Sequence, residues 1–484
     1  MLTRRHFLHS AAMAGASAAA APPRHPNIVV ILSDDLGWGS LNCYGADPRL
    51  VRTPNIDRLA TEGVRFTDAN TPSSVCSPSR YALMTGRYCW RTSATSGVLG
   101  ITSPLHIEPD RLNMASLLKS AGYSTAAIGK WHLGYGTGKT DYTKPIQPGP
   151  LDIGFDYHYG VPQNHGDATG IYVRNRETVG LRSTTVQPSG KTPYGRPFLG
   201  FDAPHRVDEN VMDELTTDAI QWLERQNAHT PFFLYFTPVA IHYPYTPSKN
   251  VRGSSQAGLY GEWIHELDLS VGRILAALDR LGFTDNTLVV FSSDNGGVLL
   301  TEGDGPEAQA VRAGLRMNGP WRGRKHSIYQ GGFRVPFLAR WPGKVKPGTT
   351  CAETINLADM LATTSAILGR PLPPATAAAG DSVNVLPALL GRKLRKPLRD
   401  SMISHSVEGV FAIRQGPWKY IEGKPAAGVA NIPDLRKGEM TPQLYNLRDD
   451  PGETNDLLRD NREVAARLAD LLTTHRTQGH SVTR

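Results

Sequence analysis

Cysteine is scarce in this chain. Cys43, Cys76, Cys89 and Cys351 are the only four in 484 residues, too few and too dispersed for a disulfide framework. No Cys/His spacing of a zinc site occurs. An RNA-binding aromatic motif and a long Lys/Arg run are also missing, which argues against nucleic acid as a partner. Long hydrophobic runs are absent as well. The apolar stretch from Ala11 to Ala21 is short and rich in Ala and Gly, so it is not expected to span a membrane. No internal repeat is present, which excludes a solenoid or propeller.

What remains is ordinary globular composition, with 40% hydrophobic and 20% charged residues. Glycine (48) and proline (36) are plentiful enough to imply many loops. The formal charge is +8, to which Arg4 and Arg5 contribute two. That modest basic excess favours anionic ligands in general and selects none. The opening Thr3-Arg4-Arg5-His6-Phe7-Leu8, the small-residue run and Pro22-Pro23 resemble a twin-arginine signal peptide over residues 1–22. A periplasmic or secreted bacterial protein is expected, with no stable membrane anchor.

Helix and strand patterns alternate through the first three quarters of the chain. Asn27 to Leu32, Thr125 to Ile128, Phe232 to Phe236 and Thr287 to Phe291 read as buried strands. Asn55 to Glu62, Asn113 to Ser120, Val211 to Arg225 and Gly261 to Leu281 read as helices. This predicts an α/β fold with a large, mostly parallel central sheet flanked by helices. Residues 170–206 lack a period and read as an insertion loop near the site. Pro371 to Ala379 reads as a linker. Strand-like Phe411 to Arg414, Trp418 to Ile421 and Leu444 to Asn446 follow, with a helical tail from Asn461 to His475. The expected organisation is a catalytic domain over 23–370 and a smaller C-terminal α+β domain over 371–484.

Three polar clusters sit just after predicted strands: Asp34-Asp35, Lys130 with His132, and Asp294-Asn295. Ligands in open α/β sheets bind outside the carboxyl ends of the strands. Asp34, Asp35, Asp294 and Asn295 are hard oxygen donors suited to Ca²⁺, with Mg²⁺ as the alternative. Three carboxylates brought together would repel unless a cation neutralised them. Cys76-Ser77-Pro78-Ser79-Arg80 places a Cys at a predicted helix start, with Ser77 as the cap and Gly86 at the end. Arg80 lies about one turn further on and faces the same way.

These residues carry a family resemblance. Cys76-Ser77-Pro78-Ser79-Arg80, continuing through Leu83-Met84-Thr85-Gly86-Arg87, resembles the signature of type I sulfatases, of the alkaline phosphatase-like superfamily. So do Gly129-Lys130-Trp131-His132-Leu133-Gly134, Ser293-Asp294-Asn295-Gly296, Arg322-Gly323-Arg324-Lys325, Leu444-Tyr445-Asn446-Leu447 and Asp450-Pro451-Gly452-Glu453. The resemblance runs from Pro26 to about Leu457.

It implies sulfate monoester hydrolysis, with a sulfated small molecule or glycan as substrate. It also implies that Cys76 is oxidised to formylglycine, for which a formylglycine-generating or equivalent maturation enzyme is the partner. A hydrated aldehyde has two hydroxyls on one carbon, so one can attack sulfur and the other can later expel sulfate. By the same resemblance residue 76 joins Asp34, Asp35, Asp294 and Asn295 around the cation. Arg80 and Lys130 hold the aldehyde hydrate. Lys130 and Lys325 grip sulfate oxygens, His132 acts as base in the second step, and His242 protonates the leaving oxygen. Asn164 is a candidate sulfate donor, because Gly160-Val161-Pro162-Gln163-Asn164 departs from the usual small polar residue there. His158, His165, Trp321 and His326 are weighed as pocket-lining residues against plain packing or solvent exposure. Two other functions use the same residues: a phosphoester or phosphonate monoester hydrolase, and an inactive protein that binds sulfated glycans.

Overall fold

The computed structural model describes residues 25–423 and 441–483. The signal-peptide expectation for residues 1–22 lies outside the described residues. Ten strands form one sheet in the order Thr349–Cys351, Val64–Phe66, Phe337–Arg340, Thr287–Ser293, Asn27–Ser33, Phe232–Thr237, Ser124–Lys130, Tyr157–Val161, Val173–Arg174, Glu177–Thr178. Asn27–Ser33 runs parallel to both neighbours, and Ser124–Lys130 does the same. Phe337–Arg340 and the short strands at the Glu177–Thr178 edge are antiparallel. The sheet is therefore mixed, with a parallel centre.

Successive strand side chains alternate between faces. Ile28, Val30 and Leu32 enter one core, and Val29 and Ile31 enter the other. A strand buried on both faces shows a continuous apolar run, which is why Asn27–Ser33 carries no alternation. Pro54–Thr61, Val211–Glu224 and Gly258–Arg280 cover one face, while Cys76–Thr85, Met114–Ser120 and Met360–Ile367 cover the other. In Gly258–Arg280 the stripe Trp263, Ile264, Leu267, Val271, Ile274, Leu275 and Leu278 has helical spacing and is fully buried. Removing a ring such as Trp263 would cost about 3–5 kcal/mol.

Cys76–Thr85 differs from an amphipathic helix, because every residue in it is buried. It ends at Gly86 in the left-handed conformation, φ 62°. A Cβ there would lie 2.8 Å from Ser382 Cβ and 3.0 Å from Ala379 Cβ. The Pro371 to Ala379 stretch is thus no free linker: Ala375, Ala378 and Ala379 are buried, and Ala379 packs against this helix end. The expected cap also moves. Val75 is the N-cap, and the Ser77 hydroxyl instead accepts the Leu99 N–H at 3.1 Å.

Part of the 170–206 insertion is ordered as a hairpin, Val173–Arg174 with Glu177–Thr178. Its two-residue turn includes Asn175 at φ 56°, a conformation Asn tolerates better than most side chains.

A second, antiparallel sheet has the order Met402–His405, Phe411–Gln415, Trp418–Ile421, Gln443–Asn446. The helix Arg462–Thr477 covers one face with Ala465, Leu468 and Leu472. The other face packs Val410, Ala412, Ile421 and Tyr445 on Ile328 and Phe333 of the large layer. Its edge strand also touches the segment before Cys76, since Ser74 N–H donates to His405 O at 3.2 Å. Among the described residues, no helix is long and apolar enough to cross a membrane.

Candidate active site

The carboxyl ends of three strands from the centre of the sheet meet. Asp34 and Asp35 follow Asn27–Ser33, Lys130 ends Ser124–Lys130, and Asp294 and Asn295 follow Thr287–Ser293. Backbone bonds pin the ends together. Asp34 N–H donates to Ala240 O at 3.0 Å, and Asp34 O accepts Ile241 N–H at 2.7 Å, which fixes the segment carrying His242. Asp35 N–H donates to Asp294 Oδ1 at 3.2 Å, and Leu36 N–H donates to Ser293 Oγ at 2.9 Å. Three residues here have left-handed backbone: Asp35 (φ 61°), His132 (φ 54°) and His326 (φ 82°). Each costs on the order of 1–3 kcal/mol, strain that tends to persist at functional sites.

Cys76 Sγ lies 3.7 Å from Asp34 Oδ1, buried at the start of its helix. Arg80, one turn on, donates Nε–H to Asp294 Oδ2 at 2.9 Å and Nη1–H to the Lys130 carbonyl at 3.1 Å. Its Nη2 stands 2.7 Å from Asp294 Oδ2 and 3.8 Å from Asp34 Oδ1. Lys130 Nζ donates to Asp34 Oδ2 at 2.7 Å, and Lys325 Nζ to Asp35 Oδ2 at 2.7 Å. Lys325 is thus the basic residue of Arg322 to His326 that reaches Asp35. Asn295 Nδ2 donates to Asp35 Oδ1 at 2.8 Å. His242 Nε2 approaches Asp35 Oδ2 to 3.7 Å.

Three carboxylates and three cations are buried together and cancel. Burial alone would raise the Asp35 carboxyl; Lys325 and then His242 overcome it and hold Asp35 well below the usual range. Burial and then the Asp34 charge push Asp294 the other way, up, despite Arg80. Burial, and then Asp294, push the Cys76 thiol up, so the unmodified thiol is a poor nucleophile here.

The donor set fits a hard cation. Carboxylate oxygens of Asp34 and Asp35, Cys76 Sγ and a His242 nitrogen lie within 4.8 Å of one another. Asn295 Oδ1 is buried with no hydrogen-bond partner, an acceptor that a cation would satisfy. These oxygens suit Ca²⁺ or Mg²⁺ better than a thiophilic metal. A separate cleft of about 1320 Å³, lined by Arg399, His475 and Val482 among others, contains none of these residues.

The two histidines differ in tautomer. His132 Nε2 lies 3.1 Å from Leu99 O. A carbonyl only accepts, so Nε2 carries the proton and the buried, unpartnered Nδ1 is left as a lone pair. Burial, then Lys130 and Arg80, hold His132 well below its ordinary pKa. His242 is reversed: Nδ1–H donates to Tyr243 O at 2.6 Å, which leaves Nε2 facing Asp35. Burial, then Lys325, lower its pKa to about 3.

Not every candidate converges. Asn164 is half-buried, its Oδ1 has no hydrogen-bond partner, and its carbonyl accepts Asp167 N–H. No hydrogen bond joins it to the carboxylate cluster among the described residues. His158 is a core residue, bonded to Tyr135 OH at 3.0 Å and Ala127 O at 2.9 Å and packed on Trp131. His165 bonds Thr246 Oγ1 at 2.7 Å and packs by Trp263. Trp321 packs on Trp38 and under Arg334. His326 stays beside Lys325, its backbone N–H bonded to Ser74 O and its Nδ1 unpartnered.

Two contributors have weak sequence signals. Leu99 acts through its backbone: its carbonyl takes His132 and the Gln163 amide (2.8 Å), and no side-chain pattern marks that. Glu453 was legible only as part of a motif. It is fully buried, accepts Gln330 N–H at 2.6 Å and pairs with Lys419 at 2.5 Å, tying the second sheet to the segment after Lys325.

The sulfatase family model matches residues 26–370. An N-acetylgalactosamine-6-O-sulfatase from Bacteroides thetaiotaomicron is 37% identical over 94% of this chain and 93% of its own length. Human arylsulfatase A is 34% identical over 91% of this chain and 85% of its own. A solved Bacteroides thetaiotaomicron structure, from work on glycosaminoglycan metabolism, superposes with a TM-score of 0.85 at 35% identity, covering 94% of this chain and all of that one. With the buried acid, base and cysteine cluster at the strand ends, these likenesses establish that the chain belongs to the sulfatase family and is a sulfuric ester hydrolase.

Proposed function

We propose that this sulfatase removes sulfate from a sulfated carbohydrate, using formylglycine made from Cys76 and a bound Ca²⁺ ion. The observation that carries the reading is Cys76 Sγ, 3.7 Å from Asp34 Oδ1, inside a ring of three carboxylates and three cations. Sγ stands in for the oxygen that formylglycine would present. The relatives named for 6-sulfated N-acetylgalactosamine make that sugar the first substrate to test.

Asp34, Asp35, Asp294 and Asn295 would hold the cation, with residue 76 completing the set. When bound, Ca²⁺ supplies positive charge that polarises a sulfate oxygen and favours an ionised hydroxyl beside it. The protein cluster alone is neutral, so a dication leaves a net positive site for the monoanionic ester. Lys130 and Lys325 then bind sulfate oxygens, exchanging contacts they now make to Asp34 and Asp35. Arg80, locked by Asp294 and the Lys130 carbonyl, holds its charge beside residue 76. His242 Nε2 faces the cluster and, once protonated, would pass its proton to the leaving oxygen; burial and then Lys325 depress its pKa, and the bound anion opposes the Lys325 charge. His132, neutral with Nδ1 free, is the base that takes a proton from the second hydroxyl. Export through the expected twin-arginine signal would follow maturation of residue 76 in the cytoplasm, and residues 371–484 would form the smaller domain.

Two measurements test this. Peptide mass spectrometry of protein from an active host should find residue 76 as the aldehyde, and Cys76→Ala should abolish turnover. A panel of sulfated sugars, with the matched phosphate esters as control, should release sulfate. A wholly unmodified Cys76 in active enzyme, or higher kcat/KM on the phosphate esters, would overturn the proposal.

A further inference from the structure

The insertion loop ends in a feature the mechanism does not use. Among the described residues, six large hydrophobic side chains are exposed, and the two aromatic ones are Tyr194 (46%) and Tyr243 (37%). They touch each other, with ring centroids 5.2 Å apart at 63°. Both hydroxyls turn inward. Tyr194 OH donates to Tyr243 O at 2.9 Å, and Tyr243 OH donates to Pro193 O at 3.1 Å. Each phenol thereby clasps the backbone of the other's segment, so the surface they present outward is ring carbon.

The pair borders the catalytic cluster. Tyr243 follows His242 directly, and Tyr194 OH lies 3.5 Å from His242 Nδ1. The loop is held close by a turn in which Gly195 N–H donates to Thr192 O at 2.8 Å and Thr192 N–H to Arg196 O at 2.7 Å. Gly166 admits it: a Cβ there would lie 2.8 Å from Pro244 Cδ and 3.1 Å from Tyr194 Cε2.

We infer that Tyr194 and Tyr243 form an aromatic platform that takes the C–H face of the sugar ring bearing the scissile sulfate. Resting on the carbohydrate reading above, it assigns the residues that recognise the sugar rather than the sulfate. His242 turns Nε2 to the leaving oxygen in that reading and Nδ1 to the two phenols, so a ring attached to that oxygen and extending past His242 out of the cluster meets the exposed pair. A pyranose buries C–H groups on an aromatic face while its hydroxyls stay in water, and a rigid aromatic does so at little entropic cost.

The test measures KM and kcat for 6-sulfated N-acetylgalactosamine, together with inhibition by inorganic sulfate, in Tyr194→Ala, Tyr243→Ala, Tyr194→Phe and Tyr243→Phe. Inorganic sulfate occupies the cation pocket alone and reports whether that pocket survives. The expected result is a KM raised about threefold to tenfold by each Ala variant, with unchanged sulfate inhibition and near wild-type KM in the Phe variants. Phe variants as impaired as Ala would assign the effect to the clasp and overturn the platform, as would Ala variants with unchanged KM. Ala variants that lose sulfate inhibition in parallel would show a distorted pocket and overturn it too. A wild-type enzyme that turns over aryl sulfates but no sulfated sugar would instead sink the carbohydrate reading, and the platform with it.

Discussion

Glu453 offers the sharpest test of how the small sheet supports the site. It is fully buried, and its partner Lys419 is 2% exposed. One carboxylate oxygen meets Lys419 Nζ at 2.5 Å and the other accepts Gln330 N–H at 2.6 Å. Lys419 also donates to Ile328 O at 2.8 Å. In Glu453→Gln one oxygen becomes an NH₂ that confronts a donor, which costs about 1–3 kcal/mol for the unsatisfied group. The ammonium also loses the close carboxylate partner it has among the described residues. Breaking a buried pair from one side costs about 3–5 kcal/mol in total. Urea unfolding of Glu453→Gln at neutral pH should therefore show a loss of that size.

The pH dependence gives the signature. Burial lowers the Lys419 pKa in the native protein even with Glu453 raising it. Without the carboxylate it falls further, so the unfolded chain binds more protons than the folded one. Stability of the variant then rises as pH climbs from the depressed folded value toward the unfolded value of 10.5, and its deficit shrinks across that window. Lys419→Met combined with Glu453→Gln should cost less than the two single changes added. A loss below about 1 kcal/mol, or full additivity of the pair, would refute the account.

Three further predictions are independent of that one. Arg80→Lys keeps the charge but cannot reproduce the guanidinium fork on Asp294 and the Lys130 carbonyl; kcat should fall about 10²–10³-fold, and near wild-type turnover would remove Arg80 from the mechanism. Stripping divalent ions with a chelator should abolish sulfate release and lower the melting temperature, and Ca²⁺ at about 100 times its Kd should restore roughly 2.7 kcal/mol; a chelated enzyme with unchanged melting would refute the cation site. Asp68 would be raised by burial, but Arg334 and then Arg414 hold it far below its unfolded value of 3.8. Its stabilisation is present above that value and is lost as pH falls through the folded one, so Asp68→Asn should flatten the acid limb of a stability profile.

What the sequence revealed and hid follows from where each signal resides. Strand ends such as Asp34, Lys130 and Asp294 were legible because an apolar run followed by polar residues marks the edge of a sheet, and topology then gathers the edges. Helix phase placed Arg80 beside Cys76 for the same reason. The cap at Ser77 was misread because a neighbouring loop, through Leu99 N–H, competes for that hydroxyl, and no local pattern encodes a partner 22 residues away. His158 was weighed as a pocket-lining residue, yet both its ring nitrogens are satisfied inside the core by Tyr135 and Ala127; burial alone gives a histidine partners that sequence does not reveal. The role of Glu453 was invisible because its partners, Gln330 and Lys419, are supplied by the packing of one sheet on another. The parts that local periodicity cannot reach are thus those that hold the catalytic segments in register, and a sulfatase site assembled from several distant segments depends on them. Substitutions at Glu453 or in the 97–99 segment should therefore impair turnover without touching any residue of the signature motifs, and kinetics that respond only to motif residues would contradict that dependence.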